Sequence, residues 1–151
     1  MKELRGAAGT TVSATPAECM ALLSALDRYP SWYPEVVRRV AVLESSDDGL
    51  PTRAETRLQV SHGPLVKEFN LIFAVRIEPP GIVELVRVPR GPQDREEFVV
   101  TWRLEDRGET GLRVELRANL SAPRLLPLGG VGDAIAEGFL RAAVAALAPA
   151  P

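Results

Sequence analysis

The C-terminal part of the chain is the feature that most constrains the fold. Residues Leu128 to Leu147 carry only three charged side chains, Asp133, Glu137 and Arg141, each four residues from the next. In a helix this spacing stacks the three charges in one narrow stripe and leaves the remaining surface apolar or small. A helix with so little polar surface must be covered on most sides. We therefore predict a long terminal helix enclosed by the rest of the chain.

Length and composition bound the class of protein. The chain has 151 residues, 46% of them hydrophobic and 25% charged, which is typical of one globular domain covering residues 1–151. A net charge of −2 gives no electrostatic reason to expect binding to nucleic acid or to an anionic membrane. The chain has one cysteine, no apolar leader and no run of about 20 apolar residues. We expect a cytoplasmic monomer or weak dimer without stable membrane insertion.

The first helix has a clear start signal. Thr15 can cap the helix, Pro16 suits its first position, and Glu18 completes a capping box. Cys19 falls on the apolar face of this helix, so we expect it to point into the core. Asp27 is placed to cap a second, very short helix. Two short helices therefore follow the first strand.

An aromatic segment, residues 29–34, follows these helices. It holds Tyr29, Trp32 and Tyr33 between prolines. One interpretation is that the rings plug one end of the core. The other is that Trp32 or Tyr33 lines an opening to the interior.

Six strands are predicted after this segment. The second of them shows their pattern most clearly, because Ala54, Thr56, Leu58 and Val60 alternate with charged or polar residues. Such alternation is typical of an antiparallel sheet with one buried and one solvated face. The order of one strand, two short helices, six strands and a long helix indicates an α+β domain.

This order and the motif in residues 15–37 resemble the START-like superfamily. The superfamily is also called Bet v 1-like, or the polyketide cyclase/dehydrase and lipid-transport group. Its members share a similar small-residue–Pro–x–Glu start and a Tyr-Pro-x-Trp segment, which stand here at residues 15–18 and 29–32. The resemblance implies a helix-grip fold, in which a curved seven-stranded antiparallel sheet wraps around the C-terminal helix. It says little about function, because members range from carriers to cyclases.

The resemblance also implies a cavity between the sheet and the helix. Small residues of the helix, opposed to aromatic rings of the sheet, would leave such a gap; they are Ala134, Gly138, Ala142, Ala145 and Ala146. The alternative is close packing of aromatic rings against alanine with no cavity. The predicted lining residues are Trp32, Tyr33, Leu58, Phe69, Leu71, Phe73, Phe98, Val100, Trp102, Leu116, Ile135 and Phe139.

Catalytic chemistry has one weak candidate. On the fifth strand, either Val83 and Leu85 face inward, or Ile82, Val86 and Val88 do. Only the second arrangement places Glu84 in the cavity, where burial would raise its pKa and suit a general acid. A single histidine, His62, leaves no multi-histidine metal site, and no nucleotide-binding motif is present, so we predict no metal and no cofactor.

Three functions remain open at this stage. The first is binding or carrying a small hydrophobic or aromatic molecule of lipid, polyketide or quinone type, without catalysis. The second is an enzyme similar to the polyketide aromatase/cyclases, which an arginine pointing into the cavity would favour. The third is an interaction module similar to the ribosome-associated or quinone-chaperone branch. The glycine-rich segment 123–132 is either a gate over the cavity mouth or a plain connector.

Overall fold

The computed structural model describes residues 2–62, 64–120 and 131–148. Its elements follow the predicted order. The strands are β1 (Lys2–Val12), β2 (Val37–Ser45), β3 (Pro51–His62), β4 (Leu65–Glu78), β5 (Ile82–Arg87), β6 (Glu97–Asp106) and β7 (Thr110–Leu120). The helices are α1 (Pro16–Ser24), α2 (Tyr29–Trp32) and α3 (Val131–Leu147), with a 3-10 turn at Leu26–Arg28 before α2.

The seven strands form one antiparallel sheet in the order β1-β7-β6-β5-β4-β3-β2. Each strand from β2 to β7 pairs with its neighbour in sequence, and β1 returns to pair with β7 along its whole length. The curved sheet and the C-terminal helix are those of the helix-grip fold, so the predicted α+β class is confirmed.

Helix α1 begins as its sequence predicts. The Glu18 amide donates to the Thr15 hydroxyl over 3.1 Å, and the Thr15 amide donates to the Glu18 carboxylate over 3.2 Å. This capping box satisfies two backbone donors that a helix start otherwise leaves unpaired. Cys19 is fully buried, as expected, and burial raises the pKa of its thiol, with Glu18 adding to the rise.

The second short helix differs from its prediction. Asp27 lies inside the 3-10 turn instead of capping it, because Ala25 occupies the cap position and makes no side-chain cap bond. Helix α2 then starts at Tyr29 and ends at Trp32, also without a side-chain cap. Its place is therefore determined by burial of Tyr29, which is 4% exposed, and not by a capping signal.

Helix α3 lies against the inner face of the sheet, packing chiefly on β1 and β7. Its charged stripe is exposed as predicted, and Phe139, Leu140 and Ala143 on other sides are buried. The predicted helix start at 128–130 and the segment 123–130 lie outside the described residues. None of the described helices is both long and apolar enough to span a membrane.

Candidate functional site

The inner face of the sheet is apolar along its strands. The inward residues of β7 are buried in alternation, as the sequence predicts, and β6 buries Phe98, Val100 and Trp102 on the same inner face. Strands β2 to β6, together with α3 and the short helical segment before β2, surround a small space, the inner void, of about 30 Å³. A void of this size holds roughly one or two water molecules. It is lined by Leu26, Tyr29, Val37, Val40, Thr56, Leu58, Phe73, Leu85, Phe98, Val100 and Phe139.

The predicted lining residues fall into three groups. Those that line the inner void are Leu58, Phe73, Phe98, Val100 and Phe139. Those buried in the core but not lining the void are Leu71, Trp102 and Leu116. Those packed against the core and partly buried are Trp32, Tyr33, Phe69 and Ile135. All twelve predicted residues thus contribute to or pack against the core, and five of them line the void.

Six residues that line the inner void are absent from the prediction. Thr56 shares a face of β3 with the predicted Leu58, and Leu85 belongs to one of the two arrangements that the sequence left open for β5. Leu26 and Tyr29 come from the short helical segment, and Val37 and Val40 come from β2. Helical periodicity is unreliable in pieces as short as the first two come from, and a register shift after Val37 breaks the alternation of β2, so the sequence did not show that side of the void.

The small residues of α3 do not all face the sheet as predicted. Ala134, Ala145 and Ala146 are exposed, beside the charged stripe. Ala136 and Ala143 are the alanines of α3 that are fully buried, and neither was among the predicted small residues. The prediction that Ala134, Ala145 and Ala146 face the aromatic rings of the sheet across a gap is therefore wrong. The observed packing is close to the alternative without a cavity.

An aromatic cluster joins α2, β6 and α3; it consists of Tyr29, Trp32, Tyr33, Trp102 and Phe139. The ring centroids of Tyr29 and Trp32 are 4.7 Å apart, and those of Tyr33 and Phe139 are 4.8 Å apart with the rings edge to face. Trp102 meets Phe139 edge to face at 6.4 Å. Such geometries are favourable for aromatic pairs. Tyr29 is buried within this end of the core, as one interpretation of the segment expected.

Two indole N–H groups of this cluster have no hydrogen-bond partner. Nε1 of Trp32 and Nε1 of Trp102 are both buried and unpaired. Burial raises the pKa of the Tyr29 hydroxyl far above its usual value, and the nearby Trp102 side chain offsets part of that rise. The Trp102 N–H therefore acts on the Tyr29 hydroxyl, but it forms no hydrogen bond with it or with any other described group. The Tyr29 hydroxyl itself donates to the Leu23 carbonyl over 2.6 Å.

Glu84 lies on the outer face of the sheet, so its inward placement is wrong. Val83 and Leu85 are the buried apolar residues of β5, which is the first of the two arrangements considered. The Glu84 carboxylate lies 3.3 Å from the Arg76 guanidinium and 3.5 Å from the Thr101 hydroxyl. It is therefore paired on the surface, and the structural basis for a general acid at this position is absent.

Arg87 lies on the inner face of the sheet. From the sequence we did not predict an inward position for any particular arginine. It shares the buried side of β5 with Val83 and Leu85, and its partner across the strand pair is Phe73. Its side chain is only 4% exposed. One guanidinium nitrogen lies 2.7 Å from the Asp94 carboxylate, and this interaction is the main reason that the pKa of Asp94 falls far below its usual value. The partner, Asp94, lies in a loop seven residues later, and no periodic pattern of residues predicts a pairing of this kind.

A larger open groove of about 560 Å³ lies on the outer face of the sheet. Its charged residues are balanced in sign, and the groove is open to solvent, so we do not place the candidate site there; they are Arg5, Glu84, Arg113, Glu115, Arg117 and Asp133. Among the side chains that the structure describes, no cluster of histidine, cysteine and acidic residues could hold a metal ion.

Comparison with known proteins decides the family. Residues 12–148 match the model of the family described as polyketide cyclase/dehydrase and lipid transport. The chain belongs to this family. Its membership confirms the START-like, or Bet v 1-like, resemblance seen in the motif of residues 15–37. No curated protein sequence matches the chain.

Solved structures of this superfamily share the fold at low sequence identity. A START superfamily protein from Mycobacterium smegmatis is 17% identical, with a TM-score of 0.71 over 95% of this chain and 96% of that one. A major latex-like protein from Panax ginseng is 12% identical, with a TM-score of 0.68 over 97% and 99% of the two chains. An aromatase/cyclase from Streptomyces sp. R1128 is 16% identical, with a TM-score of 0.61 over 97% and 90%. At these identities the likeness shows the fold alone.

Proposed function

We propose that this protein binds and carries a small hydrophobic or aromatic molecule between its sheet and α3. The observation that carries the proposal is the pair of buried indole donors, Trp32 Nε1 and Trp102 Nε1, that lack an acceptor. Buried polar groups in folded proteins are almost always paired, with protein atoms, ordered water, an ion or a ligand. A ligand acceptor beside an apolar surface would supply that partner. Membership of a family named for cyclases and lipid transport supports the same proposal.

The ligand must enlarge the inner void to bind. The void measures about 30 Å³, whereas sites for small organic ligands measure roughly 300–1,000 Å³. Binding therefore requires side chains of the aromatic cluster or α3 to move outward. The driving force would be burial of apolar surface, at about 25 cal/mol per Å² as an upper guide. The twelve predicted lining residues would surround the ligand in the enlarged void.

A fluorescence titration with N-phenylnaphthylamine, a neutral apolar dye, tests this proposal. We expect a saturable signal with one dye bound per chain. Leu85→Phe adds bulk at a residue that lines the void and should weaken binding at least tenfold, whereas Val86→Phe places the same ring on the outer face of β5 and should not. No saturable signal, or equal loss in both variants, would contradict an interior site.

An aromatase/cyclase-like enzyme is the second candidate, and the inward position of Arg87 favours it. Against it, the inner face lacks an acid–base pair, because no carboxylate is buried among the described residues. Two mass measurements discriminate the candidates. A carrier would return a bound polyketone chain unchanged after incubation, and a cyclase would return it with one or more waters lost.

Location and assembly complete the proposal. We propose a cytoplasmic protein that acts as a monomer or weak dimer. The single cysteine, Cys19, is free and buried, so the sequence carries no disulfide pattern typical of secreted domains, which is compatible with this location. Sedimentation velocity over a range of protein concentrations tests the assembly state, and a stable dimer at low micromolar concentration would contradict it.

A further inference from the structure

Arg87 leaves one donor unpaired at the far end of the inner face from the indoles. Its Nη2 lies 2.7 Å from Asp94 Oδ2, and its Nη1 donates to the Glu96 carbonyl over 2.9 Å. The Nε atom is buried and has no partner. The arginine is therefore fixed by two bonds and still presents a third N–H within the protein interior.

The neighbours of Arg87 place it beside the inner void. Leu85, two residues earlier on the same face, lines the void, and so does Phe73, the partner of Arg87 across the strand pair. Phe98 lies at the corresponding end of β6 and packs edge to face on Phe73 at 5.8 Å. Arg87 does not line the void in its present size. Enlargement of the void toward this end would bring a ligand to the guanidinium.

The unpaired buried side-chain atoms of the described residues are all donors. They are Trp32 Nε1, Arg87 Nε and Trp102 Nε1. The buried hydroxyls nearby already donate to backbone carbonyls, Tyr29 to Leu23 and Thr56 to Leu71. These three buried N–H groups without a partner favour a ligand that carries hydrogen-bond acceptors, because an acceptor would satisfy them.

The charge of Arg87 narrows the kind of acceptor. The Asp94 carboxylate already neutralises the guanidinium, and Asp94 is held in turn by the backbone amides of Arg90 and Glu96 at 2.9 and 3.1 Å. A carboxylate ligand would bring a second negative charge to this pair and would lose its own hydration. A neutral carbonyl oxygen accepts from Nε without that cost.

We propose that Arg87 is a specificity residue whose Nε–H donates to a neutral carbonyl oxygen of the bound molecule. The inference rests on the proposed function, because it assumes a hydrophobic ligand in the enlarged void. Val83 pairs with Trp102 and lies four residues from Arg87, about 13 Å along the strand. We therefore assign the carbonyl to Arg87 separately from any ligand group near the indoles.

Two ligands of the same shape test the inference. Methyl naphthyl ketone carries the carbonyl, and ethylnaphthalene replaces it with a methylene group. We expect the wild-type protein to bind the ketone about tenfold more tightly. Arg87→Lys keeps a positive charge for Asp94 but removes the Nε–H, so it should abolish this preference and leave ethylnaphthalene affinity within about twofold of wild type. Arg76→Lys, on the outer face, is the matched control and should retain the preference.

The outcomes separate this inference from the proposed function. If neither compound binds, the proposed function fails and the inference fails with it. If both bind the wild-type protein equally, or if Arg87→Lys retains the preference, binding stands and the role of Arg87 is overturned. If Arg87→Lys does not fold, the Nε–H resonance of Arg87 in the wild-type protein decides. It should shift with the ketone and not with ethylnaphthalene, and an unchanged resonance overturns the inference.

Discussion

Two glycines of α3 lack room for a side chain, but for different reasons. A Cβ on Gly132, at the start of the helix, would collide with the backbone of Arg5 and Gly6 in β1. A Cβ on Gly138, in the middle of the helix, would collide with the hydroxyl end of the Tyr33 side chain. The first contact joins two backbones, and the second joins a backbone to a side chain that can rotate.

This difference indicates where the contact between α3 and the rest of the protein can open. The start of α3 is fixed further by Asp133, whose carboxylate accepts from the Ala7 amide over 3.1 Å. At the middle, Tyr33 is only partly buried and lies across Phe139, a residue that lines the inner void. Rotation of Tyr33 would uncover Phe139 without moving the backbone of the helix. We therefore expect a ligand to enter at Tyr33 while the start of α3 stays on β1.

The largest expected effect on stability is at the contact between the backbones of α3 and β1. Gly132→Ala should lower the free energy of unfolding by about 1–3 kcal/mol or more, because neither backbone can yield to the added methyl group. Urea unfolding measures the loss. A variant as stable as the wild type would show that α3 and β1 can separate, and would remove the contrast between the two glycines.

A loss that depends on pH is expected at Asp94. Arg87 holds the pKa of Asp94 far below its usual value. The ionised Asp94 carboxylate therefore stabilises the folded protein above its unfolded pKa of about 3.9. This stabilisation is lost as the pH falls through the pKa of Asp94 in the folded protein. Asp94→Asn should therefore be less stable than wild type at pH 7, and the difference should shrink below about pH 4. The steric loss in Gly132→Ala should be equal at both pH values. Parallel pH profiles for the two variants would contradict the electrostatic role of Asp94.

A smaller effect on stability is expected at the contact between Gly138 and the Tyr33 side chain. Gly138→Ala should change the free energy of unfolding by no more than about 1 kcal/mol, because alanine favours a helix interior by a similar amount and Tyr33 can rotate away. The same variant should bind N-phenylnaphthylamine with a faster association rate, measured by stopped-flow fluorescence. A large loss of stability, or an unchanged rate, would argue against entry at Tyr33.

The smallest expected effect is a change in the titration of Tyr33. Burial chiefly raises the pKa of this hydroxyl, Glu35 adds to the rise, and Arg141 offsets it. Tyr33 therefore contributes stability that is complete below the unfolded pKa of about 10 and is lost as the pH rises above it. In Gly138→Ala, where Tyr33 turns toward water, its pKa should fall toward the usual value. Ultraviolet absorbance of tyrosinate follows this titration, with Tyr33→Phe to assign it.

The sequence was sufficient to predict the structure where a local residue pattern indicates which side chains are buried. The alternation of Phe98, Val100 and Trp102 and the capping box at Thr15 both depend on contacts within a few residues or on one repeating period. The succession of strands and helices along the chain followed from such patterns, and the motif of residues 15–37 supplied the family. The fold was therefore predictable.

The candidate site was only partly predictable, because it depends on contacts between distant segments. Helix α3 is apolar or small on several sides, so its sequence could not show that Ala145 faces solvent while Ala143 is buried. Strand β5 has apolar residues on both faces, which left the side of Glu84 open. Arg87 resembled a surface residue because its partner, Asp94, lies in a loop. The size of the void depends on how all these side chains pack.

Nuclear Overhauser contacts between bound N-phenylnaphthylamine and protein methyl groups test the central claim most directly. A ligand held between the sheet and α3 should show contacts to the methyl groups of Leu58, Leu85 and Val100, which line the inner void. Contacts confined to the exposed methyl groups of Leu43 and Val86 would place the ligand on the outside of the sheet and contradict the account.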